Sequence, residues 1–163
     1  MKEREPVLYS ACLLGIGCAH DGRHRAHRLP PGLPGDSVRA VPVCPEQLGG
    51  LPTPRAPAEI VGGSGRDVLS GEARVVSRRG ADVSRAFLRG AAETIRWANA
   101  AGCTRAVMAP GSPSCGPRWH YDGSFSGRRA EGPGVTVAAL EAAGIAVRGP
   151  EEEREAAGKK DCR

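Results

Sequence analysis

An α/β domain, with a parallel or mixed central sheet covered by helices, is the fold class this sequence predicts. Three observations carry that expectation. Short apolar runs ending in glycine or proline alternate with segments of helical periodicity. The 163 residues fit one domain, which buries roughly 68–70% of its unfolded surface and so holds a core without staples. No internal repeat and no linker divides the chain.

Val7 to Leu14 is a mostly apolar run ending in glycines, the pattern of a buried first strand with Cys12 near its end. It superficially resembles an export leader, but Glu3 and Glu5 sit among its basic residues. It is also too short and glycine-broken to span a bilayer. Asp21 to Asp36 is an Arg-, His-, Pro- and Gly-rich loop, and Val38 to Val43 is a second strand stopped by Pro45. Gly49 to Pro57 holds three prolines and is irregular backbone. Asp67 to Val76, broken at Ser70-Gly71, reads as a small hairpin.

The strongest helix starts at Asp82 or Ser84, carries Val83, Phe87, Ala91, Ile95 and Ala98 on one stripe, and closes at Gly102. Arg105 to Met108 is a third strand, Val135 to Ala143 a second helix, and Ile145 to Val147 a last strand. The whole reads as one Rossmann-like domain over residues 1–150, with Pro/Gly-rich loops around the site. Residues 151–163 read as a polar, solvated tail.

Composition narrows the function classes. Aromatics are 4% of the chain, leaving little material for stacking on RNA or single-stranded DNA. The net charge is +5, which favours anionic partners only weakly and otherwise serves solubility. The Gly62-Gly63-Ser64-Gly65 stretch lacks the lysine and the strand–helix context of a phosphate loop. Six cysteines are too few for a disulfide scaffold. Without an export signal the expected location is cytoplasmic, where thiols serve as ligands or core residues.

Cys12 lies near the end of the first strand candidate, Cys44 directly after the second and Cys115 follows the third, each with Pro or Gly within a few residues. In open α/β sheets ligands bind beyond the carboxyl ends of the strands, so parallel strands would bring these thiols to one rim. Three readings stay open on spacing alone. The thiols could hold zinc, with His20 or His120 as the fourth donor. They could hold an iron–sulfur cluster with one iron free of protein ligands, or pack as small apolar side chains.

The motifs decide further. Ser10-Ala11-Cys12-Leu13-Leu14-Gly15, Cys18 with Asp21-Gly22, and Val43-Cys44-Pro45-Glu46 are followed by Gly50-Leu51-Pro52-Thr53-Pro54-Arg55 and Pro57-Ala58-Glu59-Ile60. Ser112-Pro113-Ser114-Cys115-Gly116 and Tyr121-Asp122-Gly123 complete the series. In this order they resemble the thiouracil desulfidase family from about Tyr9 to Val147. The resemblance implies a 4Fe-4S cluster held by Cys12, Cys44 and Cys115 alone, its fourth iron binding the sulfur of a thiolated pyrimidine such as 4-thiouracil. It also implies Glu46 as general acid/base and Ser112 as the hydroxyl that orients substrate or relays a proton. Cys18 and Ser114 become pocket residues, with Cys18 supporting rather than ligating.

Other residues take simpler roles. Cys103 reads as core and Cys162 carries no motif. Arg55 and Glu59 are expected to pair and brace the irregular loop, and Asp122-Gly123 marks a turn. His20, His24 and His27 read as solvated. Two departures from the family pattern stand out: Ala19-His20 replaces an Arg-Tyr pair, and Ala109-Pro110-Gly111 replaces a stretch containing Lys-Glu. The expected activity is conversion of C=S to C=O with release of sulfide. The alternatives are the same chemistry on 4-thiouridine in tRNA, a non-catalytic metal-binding or redox-sensing module, and RNA binding through arginines.

Overall fold

The computed structural model describes residues 3–160. The chain begins with β1 (Glu5–Ser10), β2 (Val38–Val43) and the one-turn helix α1 (Pro45–Leu48). It continues through β3 (Ala58–Val61), α2 (Gly65–Ser70), β4 (Arg74–Ser77) and the long α3 (Ser84–Ala101). β5 (Arg105–Val107), β6 (Trp119–Tyr121) and β7 (Arg129–Glu131) precede α4 (Val135–Ala142), β8 (Ala146–Arg148) and α5 (Pro150–Lys160).

The central sheet is four-stranded, in the order β2-β1-β5-β8, and every pair in it is parallel. Val7 through Ser10 are all buried, as a strand covered on both faces requires. Strand β1 pairs with β2 on one side and β5 on the other. The chain thus changes direction across the sheet between β1 and β5, which opens a crevice beyond their carboxyl ends.

Two apolar clusters hold the molecule together. One gathers the central strands with Leu13, Ala98, Cys103, Met108, Val137 and Leu140. The other joins Ile60, Val68, Val75, Phe87, Ala91 and Val135, binding the antiparallel pair β3–β4 to α2, α3 and α4. On α3, Phe87, Ala91 and Ala98 are buried along the expected stripe, and Gly102 closes the helix at φ +73°. Asp82 accepts the Ser84 N–H at 2.9 Å, giving one free donor of the helix start a partner.

Three local expectations are corrected. The first strand stops at Ser10, and Ala11–Leu14 form a 3₁₀ turn that ends at Gly15 with φ +93°, so Cys12 lies just past the strand. Asp67 to Val76 is not a hairpin: it splits between α2 and β4, and β4 pairs with β3. A capping box between Ser64 and Asp67 starts α2; this short-range signal outweighs the turn signal at Ser70-Gly71. Finally, 150–160 is helical, and Glu153 is buried with ion pairs to Arg105 and Arg148. A polar composition alone did not reveal that strand-borne arginines would draw this segment in. Among the described residues no helix is long and apolar enough to cross a membrane.

Candidate active site

The expected convergence of thiols occurs. Cys12 follows β1, Cys44 follows β2 directly, and Cys115 lies in the turn beyond β5. All three line one cavity of about 470 Å³, together with Cys18, Glu46, Ser112 and Ser114. Each loop has a local reason for its shape. Pro45 occupies the first turn of α1, where a missing N–H costs nothing, and that turn holds Glu46 beside Cys44. Helix α1 is pressed onto α3 at paired glycines, because a Cβ on Gly90 would collide with the Pro45 carbonyl oxygen.

The 112–116 turn is held from within and from behind. Ser112 Oγ accepts the N–H of Ser114 at 3.1 Å and of Cys115 at 3.0 Å. The Pro113 carbonyl accepts Val135 N–H at 2.8 Å, and the Ser114 carbonyl accepts Thr136 N–H at 3.0 Å. The free donors at the start of α4 are satisfied by the same backbone that carries the site. Gly134 is required there, since its Cβ would stand 2.6 Å from the Ser114 carbonyl oxygen.

Glu46 is gripped at both oxygens. Arg55 Nε donates to Oε2 at 2.5 Å and Ser114 Oγ donates to Oε1 at 3.0 Å. The expected Arg55–Glu59 brace is therefore corrected. Arg55 turns to Glu46 and to the Cys18 carbonyl. Glu59 instead accepts the N–H groups of Gly123 and Phe125, at 2.9 and 3.0 Å, and fixes the Asp122-Gly123 turn. Burial of Arg55 works against its charge, but the charge and hydrogen bond of Glu46 outweigh that and raise its pKa.

The thiols are raised as well. Cys18 is pushed up to about 11, chiefly by its hydrogen bond to the Cys12 thiol and then by burial, while its contact with Cys44 opposes. Its hydrogen bond with Cys18, followed by burial, drives Cys44 further upward. Burial pushes Cys115 up to about 12, against hydrogen bonds from Ser10 and Ser114. The charge of Arg55 lowers Cys18 and Cys44 only as the smallest influence on each, too little to hold these sulfurs as thiolates. A soft metal group in the cavity would supply that charge, so the donor set fits one.

Among the described residues no group of three or more His, Cys, Asp or Glu side chains is gathered to hold one ion. Neither expected histidine donor is gathered with the thiols into a ligand group. His20 is exposed at the cavity rim, whereas His120 is fully buried with Nδ1 on the Tyr121 carbonyl at 2.8 Å. His24 and His27 are exposed and Cys103 is core, as expected. Cys162 lies outside the described residues.

Three site residues escaped the sequence reading in their roles. Trp119, Tyr121 and Phe125 supply aromatic walls to the cavity. Trp119 is fixed by the Arg129 guanidinium 3.9 Å above its ring and by Tyr121 edge-on at 5.4 Å. Its ring also lies against Gly111, where a Cβ would collide with it. The Ala109-Pro110-Gly111 departure thus makes room for an aromatic wall. Only the Tyr121-Asp122-Gly123 motif pointed toward this hairpin.

A parallel α/β sheet delivering thiols, a carboxylate and hydroxyls to one aromatic-walled cavity defines an enzyme of the thiol-lined α/β kind. Comparison with known proteins makes the class specific. The 2-thiouracil desulfurase family is matched over residues 7–152, and the chain belongs to that family. It is similar to the uncharacterized protein YbbK of Bacillus subtilis (strain 168), 45% identical over 141 residues that cover 86% of this chain and 93% of YbbK. It is also similar to the solved structure of TudS (DUF523Vcz), a [4Fe-4S]-dependent thiouracil desulfidase. There the TM-score is 0.82 at 36% identity, covering 98% of this chain and 100% of that one.

Proposed function

We propose that the protein is a cytoplasmic, iron–sulfur-dependent desulfidase that replaces the sulfur of a thiolated pyrimidine with oxygen from water. Membership of the 2-thiouracil desulfurase family supports the substrate class. The observation that carries the reading is Glu46, held by Arg55 and Ser114 on the wall of the cavity that Cys12, Cys44 and Cys115 also line. A carboxylate fixed beside soft sulfur donors suits proton transfer to or from water at a sulfur-bearing carbon.

In this reading Cys12, Cys44 and Cys115 hold a 4Fe-4S cluster, and Cys18 supports the pocket without ligating. The cluster, when bound, supplies an iron with an open position, a soft Lewis acid for the thiocarbonyl sulfur. The rest belongs to the chain. Trp119, Tyr121 and Phe125 offer faces to a flat pyrimidine, a contact worth roughly 1–3 kcal/mol per base. Glu46 accepts a proton from the water that attacks the C=S carbon. Ser112 orients the pyrimidine and gives a proton back to the departing sulfur. Water and thiocarbonyl become carbonyl and hydrogen sulfide, with no electrons gained or lost.

The test is sulfide release by protein purified without air and reconstituted with iron and sulfide. Free 4-thiouracil and 2-thiouracil, the thionucleoside and thiolated tRNA are assayed side by side. Turnover of a free thiopyrimidine is expected. Turnover confined to tRNA would shift the reading to 4-thiouridine removal, and zinc-loaded protein without turnover would leave a metal-binding module.

A further inference from the structure

We propose that Glu59 reads the N3–H of the pyrimidine, so that the cavity selects uracil-type over cytosine-type rings. The inference rests on the desulfidase reading and deepens it by naming a specificity-determining residue. Two carboxylates line the cavity, Glu46 and Glu59. Both oxygens of Glu46 are engaged, by Arg55 and Ser114. Glu59 divides its oxygens differently. Its Oε2 accepts the N–H groups of both Gly123 and Phe125, whereas Oε1 has no hydrogen-bond partner among the described residues.

Glu59 is only 7% exposed, yet Oε1 is not sealed away. Among the described residues the buried side-chain polar atoms without a partner are Tyr9 Oη, His120 Nε2 and Thr136 Oγ1. Glu59 Oε1 is not one of them, so it reaches open space, and the open space that Glu59 borders is the cavity. A carboxylate oxygen only accepts, so Oε1 calls for a donor on whatever fills that cavity.

The same residue fixes the aromatic wall beside that oxygen. Phe125 has φ +54°, the one positive value at a residue other than glycine among the described residues. A Cβ crowds the backbone in that region, and Glu59 Oε2 holds the Phe125 N–H there. Gly123 lies directly on β3, where a Cβ would stand 2.8 Å from the Ile60 carbonyl oxygen. The tip of the β6–β7 hairpin is thereby locked to β3. The wall offered to the face of a ring and the oxygen offered to its edge are fixed to each other.

A uracil-type ring carries N3–H between C2 and C4, next to the reacting carbon whichever of the two bears sulfur. A cytosine-type ring has a bare lone pair at N3. Glu59 Oε1 gains a charge-assisted hydrogen bond from the first and faces lone-pair repulsion from the second. Glu59→Gln inverts this preference without dismantling the turn. Two N–H donors aim at the Oε2 position, so the amide oxygen takes it and the NH2 group, a donor, replaces Oε1.

The experiment compares iron-reconstituted wild type with Glu59→Gln, after Tm and iron per chain are shown to match. Uracil and cytosine are titrated by calorimetry, and sulfide release is assayed from 2-thiouracil and 2-thiocytosine. Wild type should bind uracil about 10–100-fold more tightly than cytosine. Glu59→Gln should reverse that order and raise KM for 2-thiouracil by about the same factor with kcat retained, because the bond is made before and during the reaction alike. Equal wild-type affinity for the two bases, or an unchanged preference in Glu59→Gln, overturns the inference and leaves the desulfidase reading standing. A preference lost only together with iron or Tm overturns it too, by making Glu59 structural. Selection of uracil without sulfide release from any thiolated pyrimidine does the reverse: it upholds Glu59 as the reader of the ring and removes the desulfidase reading.

Discussion

Glu46 is the residue whose replacement says most. Glu46→Gln keeps the size of the side chain and its hydrogen-bonding reach toward Arg55 and Ser114, but removes the proton acceptor. Iron content should stay at the wild-type level while kcat falls roughly 10²–10⁴-fold, as read by sulfide release. Loss of the iron in that variant would assign Glu46 a structural part instead. Cys18→Ala tests the ligand set in the same way, since a supporting residue leaves the iron content intact. The motif series singled out Cys12, Cys44, Cys115, Glu46 and Ser112, and the structure brings all five to one cavity. Arg55 and Ser114 were visible as residues but not as partners of Glu46. They lie 9 and 68 positions from it, and only the fold closes those distances.

Among the elements, the strands and helices with strong periodicity were legible. β2 occupies the expected Val38–Val43, and α3 spans Ser84–Ala101 with its stripe buried. What escaped was structure built from short pairings. β3 and the β6–β7 hairpin are three or four residues per strand, too short to show an alternation. The site depends on how such elements touch, and Gly134 is the sharpest case. A Cβ there meets only backbone, the Ser114 and Pro113 carbonyls, so Gly134→Ala must push α4 away from the 112–116 turn. A cost of about 1–3 kcal/mol is expected, measured as a lower midpoint in urea, together with reduced iron retention from displaced Cys115. An unchanged midpoint would show that the turn is not clamped against α4.

At the scale of the whole molecule, four thiols with raised pKa (Cys18, Cys44, Cys103 and Cys115) and a drawn-in C-terminal helix bear on stability. A thiol whose folded pKa lies above its unfolded value of 9.0 stabilises the fold fully below pH 9. That contribution is lost as pH rises, because the unfolded thiol sheds its proton first. Protein freed of metal by a chelator and kept reduced should therefore lose stability progressively between about pH 9 and pH 12, as followed by thermal unfolding. Iron-loaded protein should depart from that curve, because Cys115, as a ligand in the proposed reading, would already be ionised while Cys18 keeps its proton. At the far edge of the sheet, Glu153→Ala should cost about 1–3 kcal/mol, because Arg105 and Arg148 lose a buried partner while Arg105 keeps Glu5.

These scales meet in the proposed reaction, in which the chain exchanges sulfur for water oxygen without redox chemistry at a site made by Cys12, Cys44, Cys115 and Glu46. The direct measurement is turnover of thiouracil by anaerobically reconstituted protein in ¹⁸O-labelled water, with no reductant or oxidant added. One sulfide and one labelled oxygen in the pyrimidine should appear for each thiouracil consumed. Sulfur release that requires a reductant, or a pyrimidine product without label, would contradict the account.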